Sequence, residues 1–149
     1  MIEWVWRSIY LYYLRWTGKL REQGGVVYAA KISGKAQVGG KARVAGFAIV
    51  WGYAIVFGNA CVKGNAQVYD HAIVDGHAYV CDRAEVSDHA HVSDNAVVRG
   101  DALINGNAKV YGNAIVSGRA HVYGDAILEG DVTLSSGWIY NVHWWRDIP

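Results

Sequence analysis

The chain has 149 residues, 52% of them hydrophobic and 18% charged, which excludes an intrinsically disordered protein and fits one domain able to bury a core. Fourteen Lys and Arg stand against 13 Asp and Glu, a net charge of +1, so neither a polyanion mimic nor a uniformly basic nucleic-acid binder is expected. The only threonines, Thr17 and Thr133, exclude a Thr-ladder ice-binding surface.

Residues 1–29 form an aromatic, basic opening segment. Val5, Ile9, Tyr12, Trp16 and Leu20 recur at helical spacing, and Gly18 supplies a stop, which predicts an amphipathic helix. Trp6, Tyr10 and Tyr13 make its other face apolar too, so a second contact surface is expected. The segment reads as a capping and packing helix, with a membrane-surface anchor as the alternative. Glu3, Arg7 and Arg15 interrupt the apolar run from Ile2 to Trp16, which falls short of the ~18 residues a span requires. It also lacks a small-residue cleavage site. No membrane span and a cytoplasmic location are expected.

From residue 30 the chain becomes periodic. Alanine recurs every six residues from Ala30 through Ala126, and an aliphatic follows two residues later, as in Ile32, Val38, Val44, Val50, Val56, Val62 and on to Leu128. A last hexad has Val132 in place of the alanine and keeps Leu134. Gly or Asp stands two residues before each alanine, from Gly34 to Gly130, so the unit reads [GD]-x-A-x-[VIL]-x and 18 copies fill residues 30–134. Residues two apart face the same side of an extended strand, and Gly or Asp supplies a corner able to take positive φ. Each unit is therefore a very short strand and a corner, unable to bury its face alone. It must coil and stack on its own copies.

The tract resembles the hexapeptide repeats of left-handed parallel β-helix proteins. Within that family it is similar to bacterial and phage proteins built from G-N-A-x-V-x runs, as in Gly106-Asn107-Ala108-Lys109-Val110 and Gly112-Asn113-Ala114-Ile115-Val116. The resemblance implies three hexads per triangular coil, with the alanine and the aliphatic both inward. The predicted fold is all-β: a left-handed parallel β-helix of about six coils, roughly 25–30 Å tall. An N-terminal aromatic helix and a Trp-rich C-terminal segment over 135–149 close it. Six of the seven tryptophans lie outside the repeats: Trp4, Trp6 and Trp16 before them, and Trp138, Trp144 and Trp145 after.

If residues 18 apart stack, the outward positions form columns. One reads Arg43, Cys61, Tyr79, Val97, Ile115, Thr133, and another Gln37, Ile55, Ile73, His91, Lys109, Ile127; Phe47, Ile49 and Trp51 lie on the third face. Exposed apolar rows mark partner or self-association sites, and the Tyr79 column is the expected seam of a homodimer or homotrimer. Cys61 and Cys81 lie on adjacent coils two residues out of register, about 8 Å apart and beyond disulfide reach, so free thiols are expected. Charge is uneven: residues 1–45 carry eight basic and two acidic groups, and residues 46–149 six and eleven.

The chemistry-bearing residues are few. Asp70-His71 and Asp88-His89 are 18 apart and should stack at one corner near His91, a conceivable divalent-metal site. Asp82 and Asp94 occupy the same corner position without a histidine, so the metal reading is not favoured and no cofactor is expected. Acyltransferases of the resembled family use a histidine base, for which His89 or His121 could be nominated, but no loop interrupts the coil. The gamma-class carbonic anhydrases set three histidines around zinc, and the spacing of His71, His77, His89 and His91 does not reproduce their paired motif. The expected function is a non-catalytic scaffold for self-association and protein binding, such as a phage-encoded inhibitor of a host protein. Either family enzyme is the alternative.

Overall fold

The computed structural model describes residues 26–28 and 30–145. Each hexad forms a strand of two or three residues, such as Ile49–Val50, Cys61–Val62 and Glu85–Val86, followed by a turn. At all 17 turn positions from Gly34 to Gly130, φ lies between 56° and 78°. This left-handed region costs glycine little and is tolerated by Asp, which occupies four of these positions: Asp70, Asp82, Asp88 and Asp94. Close approach between coils adds a second reason for glycine. A Cβ built on Gly76 would lie 2.7 Å from the backbone nitrogen of Asp94 on the next coil.

The strands assemble into three parallel sheets of seven strands each, giving a three-sided solenoid of about six turns. Within the hexad tract every ladder joins residues 18 apart, as in Gln67↔Glu85, Ile73↔His91 and Tyr79↔Val97. We name the sheets by one outward residue each: the Trp51, Ile73 and Tyr79 faces. The interior is a single column of small and aliphatic side chains. Ala42 through Ala126 and Val44 through Leu128 are fully buried, and exposure begins only near the ends, at Ala36, Val38 and Leu134. Each buried valine or leucine contributes about 1.5–3 kcal/mol relative to exposure, which lets strands of two residues persist.

The termini of this column differ from the sequence expectation. The helix expected in the 1–29 segment, on Val5, Ile9, Tyr12, Trp16 and Leu20, lies outside the described residues. Of the 1–29 segment, Val26–Tyr28 is a strand paired with Arg43–Ala45, and the described residues contain no helix. The Trp-rich segment expected to cap the coil continues it. Trp138–Tyr140 pairs with His121–Tyr123, and His143–Trp145 pairs with Ile127–Glu129. Ladder spacing there shrinks below 18, so the alanine period ends while the coil goes on. Gly137 and Asn141 supply its positive-φ residues. Ile139 and Trp144 then take the inward positions against the core.

Candidate functional site

Because the hexad tract has no insertions, its outward side chains line up in vertical columns, and many of them pair from coil to coil. Corner carboxylates accept from backbone one coil on: Gly100 N donates to Asp82 Oδ2 at 3.0 Å, Gly106 N to Asp88 Oδ2 at 2.9 Å and Gly112 N to Asp94 Oδ2 at 3.1 Å. Asn107 and Asn113 donate to Asp125 and Asp131, each at 2.8 Å. Arg83 Nε lies 2.8 Å from Asp101 Oδ1. These aligned contacts add small increments per coil and fix the rotation of one coil upon the next.

The Asp70-His71 and Asp88-His89 corner does bring its residues together, as a stack. The His71 and His89 rings lie flat on each other with centroids 5.0 Å apart, Tyr53 stacks on His71 at 4.9 Å, and Lys35 Nζ sits over Tyr53. Parallel stacking keeps the imidazole nitrogens in separate planes. Asp88 is turned to the Gly106 amide, and His91 points elsewhere, 3.2 Å from Asp75 Oδ1. Among the described residues, no three His, Cys, Asp or Glu side chains converge on a point where a metal ion could sit. His121 rests on Tyr123 and meets Asn105 at 3.1 Å, and His77 meets Asn59 at 3.2 Å.

The columns nominated for association are stacked as the spacing implies. Cys61, Tyr79, Val97 and Ile115 stand one above another on the Tyr79 face, all half-buried. Lys63 Nζ lies 4.9 Å from the Tyr79 ring centroid, and the tyrosine holds the ammonium above its usual pKa. Ile55 and Ile73 are neighbours on the Ile73 face. Cys61 and Cys81 are both free; Cys81 is buried, and burial pushes its thiol up.

The most exposed apolar side chains lie elsewhere. One belongs to a band at residues 47–57, where every second residue is apolar and outward: Phe47, Ile49, Trp51, Tyr53, Ile55 and Phe57. Phe47 is 77% exposed, and Trp51, Tyr53 and Phe57 are also exposed. Trp51 stacks on Tyr69 with centroids 4.9 Å apart, which extends the aromatic surface one coil down. The sequence reading named Phe47, Ile49, Trp51 and Ile55 but missed Tyr53 and Phe57, which the unbroken alternation from 47 to 57 would have revealed. A second patch, at the C-terminal end, was not foreseen. Trp138 is 77% exposed, Tyr140 lies against Tyr123, and Leu103 is exposed on the same Trp51 face. Its signal is weak in sequence because residue spacing changes there.

Among the described residues no helix is long and apolar enough to cross a membrane. Residues 108–124, about one coil, match the family model described as YdcK Beta solenoid repeat. That match and the stacked parallel strands agree on a repeat β-solenoid. No curated protein matches the chain.

Proposed function

We propose that this hexapeptide-repeat β-solenoid is a non-catalytic scaffold acting by association through its outward faces, with itself and with another protein. We read its coil as left-handed, as the hexad resemblance implies. The observation that carries the proposal is the exposed apolar band at residues 47–57. Such a band exceeds isolated surface apolar residues and favours a protein partner. A rigid prism of this kind can act by occupying another protein's surface, the form an inhibitor of a host protein takes. Two free thiols fit a reducing, cytoplasmic setting.

The ladders also bear on the enzyme alternative. His71 and His89 stack on each other, while His77, His91 and His121 each meet a ladder neighbour, so their placement follows the repeat. Zinc analysis of protein purified without chelator, with assays for CO2 hydration and acyl transfer from an acyl thioester, tests the proposal. Background zinc and background turnover are expected. Stoichiometric zinc lost in His71→Ala or His89→Ala, or turnover lost in His89→Ala or His121→Ala, would overturn it.

A further inference from the structure

The Trp51 face carries a pattern that is complementary to itself when reversed. Its central column begins at Lys31, and the next six coils add Ile49, Gln67, Glu85, Leu103, His121 and Trp138. Consider a second copy laid face to face and antiparallel, with a two-fold axis running along the strands between the coils of Glu85 and Leu103. That axis pairs the first coil of the six with the last, the second with the fifth, and the third with the fourth, and it keeps each column opposite its own column.

The resulting neighbours are chemically matched. Ile49 meets Trp138, with exposed Phe47 beside them; Trp51 meets Tyr140; Tyr69 meets Tyr123. At the centre, Arg83 of one copy faces Asp101 of the other, next to the Arg83–Asp101 pair already present in each chain. Gln67 faces His121. Glu85 opposite Leu103 and Phe47 opposite Ser136 are the mismatches, and Glu85 is already engaged by the Tyr69 hydroxyl at 3.3 Å.

Charge selects the antiparallel direction over the parallel one. Residues 1–69 hold nine basic and two acidic groups, whereas residues 70–149 hold five basic and eleven acidic. Within 30–69 there is no acid, and Lys31, Lys35, Lys41 and Arg43 ring the first coil. An antiparallel pair brings the basic end of each chain toward the acidic end of the other, with Lys31 one coil beyond the partner's Trp138, while a parallel pair would set like ends together and Glu85 against Glu85. Six coils and one prism side bury roughly 1,000 Å² over both copies, the lower bound for a specific interface. A two-fold contact of this kind uses the same patch on both subunits and closes at two.

We infer that the Trp51 face is the interface of an antiparallel homodimer, with the two-fold axis between the coils of Glu85 and Leu103. The inference rests on the scaffold reading and adds its partner and register. The test uses the full chain with Cys61→Ser, leaving only buried Cys81, and adds either Gln67→Cys or His121→Cys. A bis-maleimide linker of about 10 Å, the face-to-face spacing of packed sheets, is then applied. Cross-linked dimer is expected when the two variants are mixed. Neither alone should cross-link, because identical sites then lie about 18 Å apart. Light scattering should give twice the 16.4 kDa chain mass for the parent, and the single-chain mass for Ile49→Lys with unchanged circular dichroism. Efficient cross-linking of Gln67→Cys alone would overturn the antiparallel register. A single-chain mass for the parent at 100 µM would overturn the dimer, while the scaffold reading would still stand or fall on the zinc and turnover assays.

Discussion

Gly58 offers a direct test of how the coils are held apart. It has φ of +69°, and a Cβ built on it would lie 3.0 Å from Gly76 O and 3.1 Å from Gly76 N on the next coil. Gly58→Ala therefore pays for the left-handed conformation, about 1–2 kcal/mol, and for a contact that moves the next coil by a few tenths of an ångström. Gly58→Asp meets the same backbone, but Asp tolerates this conformation better, and its carboxylate can accept from Gly76 N. Asp82, Asp88 and Asp94 do this natively at 2.9–3.1 Å. That hydrogen bond returns about 0.5–1.5 kcal/mol. Gly58 has glycine one coil above it and one coil below it, Gly40 and Gly76, so no stacked carboxylate opposes the new charge. Equilibrium urea unfolding of the three proteins should rank the parent and Gly58→Asp together, with Gly58→Ala lower by about 1–2 kcal/mol. If Asp were as destabilising as Ala, the native carboxylate–amide ladders would carry no stabilisation and the reasoning would fail.

Further outcomes follow from the core and the ionisable groups. Ala84→Leu inserts a large side chain at a fully buried inward position and should cost about 1–3 kcal/mol by overpacking; an unchanged denaturation midpoint would contradict the inward placement. Ile104→Val should cost about 0.5–1.5 kcal/mol in the same assay, as expected for one buried methylene. Burial raises the folded pKa of Cys81 from 9.0, and those of Tyr69 and Tyr111 from 10.0. The unfolded chain therefore loses these protons first, and stability should be full below pH 9 and fall as pH rises through 9 and past 10. Cys81→Ala should remove the part that starts near 9. A thiol reagent at pH 8 should modify Cys61 quickly and Cys81 only at the unfolding rate; equal rates would contradict the burial of Cys81.

The core and the register were legible because one constraint, the burial of Ala84-type and Val86-type positions, repeats without interruption. A side-chain period of two and a coil of three hexads fix inward and outward assignments at every residue from 30 to 134. The stacking of Tyr79 on Val97 and of His71 on His89 follows from that. What the stacked groups do was less legible. Asp70 and His71 suggested ligands, but spacing alone does not tell converging nitrogens from rings lying flat. The Tyr79 column drew attention as a run of apolar letters, yet its side chains are half-buried and one is covered by Lys63. Exposure is greater at Phe47 and Trp138, which alternation and the end of the repeat place on one face. The C-terminal strands escaped the reading because Trp138–Tyr140 joins its sheet 17 residues after His121–Tyr123, breaking the pattern that revealed the rest.

Sedimentation equilibrium of the full chain from 1 to 100 µM, beside Ile49→Lys and Val97→Lys, tests the central claim that outward faces drive association. The parent and Val97→Lys should approach twice the 16.4 kDa chain mass as concentration rises, and Ile49→Lys should stay at the mass of one chain. A parent that stays at one chain mass throughout, or an assembly that Val97→Lys dissociates and Ile49→Lys leaves intact, would contradict it.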